Sequence, residues 1–269
     1  MRRRLGGAGA GRVEQTLTRW GRGVELRVCE DPDSLAASAA EEVVARAREA
    51  VAQRGHFTIA LSGGSTPARL YARLARRRAL PWSRVHVFWG DERVVPPGHP
   101  DSNFGAADRA LLSRVPLPRG NVHRVPTESH SPAVAARLYE DELRRFFATP
   151  ARQFPRLDLV LLGLGADGHT ASLFPGNEAL REEERLVVAP LVTSLGGYRI
   201  TLTLPVINSA RAVIFLVAGD GKAEILARAL EGVGGAELPA RLVRPHDGEL
   251  LWLVDRAAAR GLAPTGDAQ

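Results

Sequence analysis

The sequence predicts an α/β fold: a doubly wound, mostly parallel sheet with helices on both faces, in a single domain. Three observations predict it. Several short runs are apolar throughout rather than alternating, which suits parallel strands covered on both faces. These runs alternate with segments of helical spacing, the pattern of strand–helix–strand units with right-handed crossovers. The chain has 269 residues, enough for a substantial core, and no linker-like boundary splits it after residue 23.

Residues 1–23 hold six arginines (Arg2, Arg3, Arg4, Arg12, Arg19, Arg22) against one acid, Glu14, so they carry +5 of the chain's net +6. They are rich in Arg and Gly, poor in large apolar residues, and lack the apolar stretch of a secretory signal. A tail without packed structure is expected over 1–23, followed by one domain over 24–269. Strands are expected at Val24–Cys29, Phe57–Leu61, Val85–Trp89, Leu157–Leu162, Arg199–Leu204, Ala212–Ala218 and Leu250–Val254. Between them, Ser34–Arg54 reads as a helix capped by Asp33 and stopped before Gly55. Thr66–Arg78 carries Pro67 in its first turn. Pro132–Phe147 has apolar residues at helical spacing, and Lys222–Leu230 follows a Gly-Asp-Gly turn. The loop from Arg93 to Asn103, with three prolines and a glycine, is expected to wall a site rather than join domains.

Composition excludes several classes. With the first 23 residues set aside, the net charge is about +1 and mixed, which argues against a nucleic-acid partner. The longest apolar runs, near Leu157 and Val213, are too short to span a membrane. Cys29 is the single cysteine, so no internal disulfide and no Cys-based metal site is possible; a reducing, cytoplasmic setting is expected. Of 36 basic residues only Lys222 is lysine. In a chain that defaults to Arg, a lone Lys suggests a need for a compact ammonium.

The stretch LDLVLLGLGADGHTASLFPG (157–176) carries the most chemistry. An apolar strand runs into a glycine loop, the place where open α/β sheets put their sites. His169 in that loop can act as a general base, with Asp167 beside it. The G-x-G-x-x-G formed by Gly163, Gly165 and Gly168 is not read as a dinucleotide fingerprint, because Pro175 and Gly176 end any helix too soon. No second cluster of His or carboxylates at metal-ligand spacing accompanies His169, so no metal is assigned. The segment LSGGSTP (61–67) joins a strand to a helix, and its two glycines flanked by hydroxyl residues suit an anion cradle at the helix N-terminus. In WGDER (89–93), Arg93 suits a phosphate and Asp91 could hold a sugar hydroxyl. Lys222 sits where a cation is disfavoured by the helix dipole unless a ligand anion offsets it.

Five segments in order resemble the 6-phosphogluconolactonase family, which shares a fold with glucosamine-6-phosphate deaminases. They are LSGGSTPARLY, FWGDERVVPPGHPDSNFGAA, LDLVLLGLGADGHTASLFPG, RITLTLPVINSARAVIFLVAGDGKAEIL and ELPARLVRPHDGELLWLVDRAAA. The resemblance implies a Rossmann-like fold and hydrolysis of 6-phospho-D-glucono-1,5-lactone to 6-phosphogluconate in the pentose phosphate pathway, with no cofactor. It implies His169 as the water-activating base with Asp167 as its neighbour. It places Gly64, Ser65, Arg93, Arg199 and Lys222 around the phosphate and Asn103 in the site wall. The expected partner is the small sugar-phosphate lactone alone, with the protein a monomer or weak dimer. Two rivals exist. An amino-sugar phosphate isomerase/deaminase would carry an Asn-Glu-Pro-like sequence where this chain has Ser172-Leu-Phe-Pro175. A sugar-phosphate sensor would need a DNA-binding module, and 23 residues are too few for one.

Overall fold

A computed structural model describes residues 16–20, 23–77, 79–232 and 238–263. Its strands are β1 (Thr16–Trp20), β2 (Val24–Cys29), β3 (Phe57–Leu61), β4 (Val85–Trp89), β5 (Asp91–Arg93), β6 (Leu159–Leu162), β7 (Val187–Val188), β8 (Leu191–Val192), β9 (Gly197–Leu202), β10 (Ala212–Val217) and β11 (Glu249–Asp255). The α-helices are α1 (Pro32–Arg54), α2 (Ser65–Leu74), α3 (Asn103–Ala110), α4 (Pro132–Phe147), α5 (Leu204–Asn208), α6 (Ala223–Glu231), α7 (Pro239–Leu242) and α8 (Arg256–Ala259).

The main sheet runs β1-β2-β11-β10-β6-β3-β4. All its pairings are parallel except β1 with β2. Every residue of β3, β6 and β10 is buried, as their unbroken apolar runs require. Phe215 of β10 and Trp252 of β11 stack at 3.8 Å between ring centroids, adding aromatic contact to the burial. The chain leaves β3 outward to β4, returns to β6, then proceeds the opposite way to β10 and β11. This reversal between β3 and β6 makes their carboxyl ends the natural place for a ligand.

Four expectations need correction. Residues 16–20, placed in an unstructured tail, form β1, antiparallel to β2. The run TLTRW alternates and can pair at an open sheet edge, where composition alone gave no sign of it. Arg199–Leu204 is not a strand of the main sheet. Its alternating pattern suits an antiparallel strand, and β9 pairs with β5, β7 and β8 in a small second sheet. The strand ends at Leu202, and Pro205 in the first turn starts α5. Helix α1 begins two residues early: Asp31, not Asp33, is the cap, accepting from the Ser34 amide at 2.7 Å. Pro32 then takes the first helical position, where its missing N–H costs nothing. Lys222 caps α6 rather than opening it from within.

Candidate active site

Four connections leave the carboxyl ends of adjacent strands: 62–64 after β3, 90–102 (including β5) after β4, 163–174 after β6 and 218–222 after β10. They line one rim of the sheet.

The loop after β6 is shaped around His169. Gly165 donates its amide to the His169 carbonyl at 2.8 Å, and Gly168 donates to the Gly165 carbonyl at 3.0 Å. The imidazole occupies the space where a Cβ at Gly165 would stand, so only glycine fits there. Gly168 has φ of 84° and lies against Leu238. No α-helix follows before α5, which rules out the crossover a dinucleotide fingerprint needs. The His169 ring stacks on Phe174 at 4.2 Å. Its Nδ1 lies 2.5 Å from Asp167 Oδ1, and the same oxygen accepts the His169 amide at 3.1 Å. Burial opposes the Asp167 charge, but these bonds outweigh it and hold the carboxyl below its usual range. With the carboxylate on Nδ1, Nε2 is the ring nitrogen left for a ligand, and no protein group among the described residues bonds it. The side chain is 30% exposed.

The opposite wall is the small sheet. Its register sets Arg93 across from Arg199 and Asp91 across from Thr201. Two guanidiniums facing each other repel. Burial and the neighbouring Arg93 both weaken the proton affinity of Arg199. An anion between them would remove that cost. Arg93 also reaches back to the Asp101 carbonyl at 2.6 Å, which folds the proline loop onto the rim as a wall. Glu92 is buried and holds the start of α3, accepting the amides of Asn103 and Phe104 at 2.7 Å each. Burial pushes its carboxyl upward, against those amide bonds. Asn103 donates to the Asp91 carbonyl at 2.9 Å, and its side chain fills the space above Gly63.

Helix α2 starts from Gly64, whose φ of 107° favours glycine, and no side chain caps it. The first amides of α2 are therefore open to an anion. Tyr71 on α2 anchors the turn: its hydroxyl donates to the Ser62 carbonyl at 2.6 Å and accepts the Ser62 amide at 3.0 Å. Tyr139 on α4 does the same for Trp89 at the end of β4, at 3.0 and 2.8 Å. Gly64, Ser65 and Lys222 share the rim, with no side-chain hydrogen bond to the other expected site residues among the described ones. Lys222 has no acidic partner there. Glu92, Ser172, Phe174 and Thr201 lie inside the motifs quoted from the sequence but receive no role there, because their contacts come from the folded rim. Among the described residues no group of three or more His, Cys, Asp or Glu side chains could hold a metal ion, and no helix is long and apolar enough to cross a membrane.

A family model described as glucosamine-6-phosphate isomerases/6-phosphogluconolactonase matches residues 30–252, which takes in all four rim loops and β9. The chain belongs to this family. Among its members, the 6-phosphogluconolactonase of Nostoc sp. is 47% identical over 239 residues, 88% of this chain and 98% of that one. The human 6-phosphogluconolactonase is 42% identical over 242 residues, 87% of this chain and 92% of that one. The crystal structure of 6-phosphogluconolactonase from Thermotoga maritima superposes with a TM-score of 0.76 at 32% identity, covering 87% of this chain and 100% of that one. A monomeric glucosamine-6-phosphate deaminase superposes with a TM-score of 0.75 over 88% of this chain and 99% of its own, at 19% identity, a likeness of fold alone.

Proposed function

We propose that this chain hydrolyses 6-phospho-D-glucono-1,5-lactone to 6-phospho-D-gluconate, with His169 activating water. The observation that carries this reading is the His169–Asp167 pair, which commits Nδ1 to a carboxylate and leaves Nε2 for chemistry. A δ-lactone is an activated ester, so water needs modest help. His169 takes a proton as water oxygen attacks the carbonyl carbon. The tetrahedral intermediate then breaks its bond to the ring oxygen, which receives that proton, leaving the acid. Asp167 holds the tautomer and offsets the charge on the ring. The Gly165 and Gly168 amides are committed inside the loop, so they do not serve as oxyanion donors. The phosphate lies on Arg93, Arg199, Lys222 and the Gly64–Ser65 turn, with Asn103 lining the wall between. This grip is remote from the reacting carbon and supplies orientation.

The protein is taken to act as a monomer or weak dimer. Cys29 is buried and its thiol is pushed up to about 11, an inert position that suits a reducing, cytoplasmic setting. The test is lactone hydrolysis by the purified chain at a pH where spontaneous opening is slow. Hydrolysis well above the buffer rate is expected. A rate equal to buffer, or release of ammonia from glucosamine 6-phosphate instead, would overturn the reading.

A further inference from the structure

We propose that Ser172 is a positioning residue: docked on Asp91 and Thr201, it fixes the spacing between His169 and the Arg93–Arg199 pair and so couples the phosphate to turnover. This rests on the function proposed above. The geometry behind it is a ladder of two cross-strand pairs. Asp91 faces Thr201 and Arg93 faces Arg199, two residues apart on each strand, so all four side chains share one face of the small sheet. Ser172 lies three residues beyond His169 in the same loop. Its hydroxyl donates to Asp91 Oδ2 at 2.7 Å, and its amide donates to Thr201 Oγ1 at 3.3 Å. The loop that carries the base is thus pinned to the very pair that neighbours the arginines.

Burial makes the pin stiff. Ser172, Thr201 and Asp91 are 2%, 1% and 8% exposed. Burial raises the Asp91 carboxyl, while the Ser172 hydroxyl, Arg93, His169 and Arg199 favour its charge in that order. Asp91 therefore sits electrically between base and clamp while bonded to neither. Thr170 closes the other end of the loop, donating to the Gly163 carbonyl at 2.9 Å. Between these two fixings His169 has one place to stand. A phosphate gripped by the arginines then presents a carbonyl at a set distance along the sugar, and only a lactone of matching length meets the base.

The test compares 6-phosphogluconolactone with unphosphorylated glucono-1,5-lactone, which lacks the remote grip. Ser172→Ala is expected to lower the ratio of their kcat/KM values by about 10- to 100-fold, chiefly through kcat, as a displaced reacting group does. Competitive inhibition by inorganic phosphate should stay within about twofold, because the clamp itself is intact. Asp91→Ala, which breaks the same bond from the other side, should lower the ratio similarly. Asp91→Asn keeps an oxygen for Ser172 and should retain the ratio to within about fivefold. Should Ser172→Ala fail to fold, the contrast of Asp91→Asn with Asp91→Ala decides. Equal losses on both lactones, or an unchanged ratio, would overturn the positioning role. An inactive wild type would instead overturn the reading on which it rests.

Discussion

Two histidine–carboxylate pairs of almost equal length stand in this molecule. One is His169 on Asp167 at 2.5 Å; the other is His123 on Glu142 at 2.6 Å. Both use Nδ1. They part company at the second nitrogen. His123 Nε2 is taken by His86 Nδ1 at 3.1 Å, and the rings pack among Phe88 and Phe146. His169 Nε2 has no protein partner among the described residues, and its ring stands at the sheet rim on a glycine loop. The difference teaches that a carboxylate behind a histidine marks orientation, not activity. Activity needs the far nitrogen open at a place a ligand can reach.

Substituting the two histidines is the direct way to break this comparison. His169→Gln should lower turnover by about 10²–10⁴-fold, the usual loss for a missing general base, while thermal stability barely changes. His123→Gln should do the reverse, with a lowered melting temperature and near-normal turnover. If His169→Gln turns over normally, the open nitrogen has no part in the reaction.

The next effect in size sharpens what the open nitrogen faces. Lys222→Ala should lower kcat/KM for the phosphorylated lactone by about 10- to 150-fold and leave the unphosphorylated lactone nearly unaffected, as expected for one lost charge-assisted contact. Lys222→Arg should recover part of it. An unchanged ratio of the two substrates would leave the phosphate to Arg93, Arg199 and the Gly64–Ser65 turn.

A smaller effect separates the pairs by pH. Burial, then the neighbouring His123 and His56, hold His86 down to about 4, below the ordinary 6.5 of a histidine. The fold therefore keeps His86 neutral where the unfolded chain would bind a proton. Its contribution to stability is whole above pH 6.5 and declines as pH falls toward 4, with a slope approaching one proton. Glu142, Arg145 and His123 surround the same cluster. His86→Phe should thus show a shallower loss of melting temperature between pH 6.5 and 4.5 than wild type. An identical loss would mean that other groups govern acid unfolding.

The smallest effect concerns the far edge. Deleting residues 1–20 removes β1, which pairs with β2 and is separated from β3 by four strands. A melting temperature lower by a few degrees with unchanged kcat is expected, since an edge strand far from β3 in the sheet contributes little. A loss of turnover would tie that edge to the site.

What was legible in the sequence follows from which forces act locally. The unbroken apolar runs of β3, β6 and β10 announce strands buried on both faces, and the glycine loop after β6 announces where chemistry sits. Gly165 and Gly168 are needed because a ring and a leucine fill their Cβ space. The sheet to which a strand belongs was less legible. β9 alternates, and its partners are short strands whose pairing is set by long-range register. The contacts of Ser172 and Thr201 are not legible for the same reason: a small hydroxyl residue does not announce its partner, and these bonds span 81 and 29 residues of sequence. β1 is hidden in the sequence because its alternating five-residue run lies inside an Arg- and Gly-rich segment whose composition signals no strand.

The twin tyrosines have a consequence for how the rim breathes. Tyr71 and Tyr139 each grip both backbone groups of the residue where a strand of the main sheet meets the rim, Ser62 after β3 and Trp89 at the end of β4. Strand ends ordinarily fray, because their outermost amides open without disturbing anything else. Here the Ser62 and Trp89 amides cannot be released unless a buried phenol leaves its helix packing, so exposing them to solvent hydrogen requires a larger cooperative opening. In hydrogen-exchange measurements these two amides should be as protected as those in the middle of β3 and β4, and Tyr71→Phe or Tyr139→Phe should speed exchange at Ser62 or Trp89 respectively. The rim is thus held twice, by bonds among its own loops and by two helices that grip it from behind.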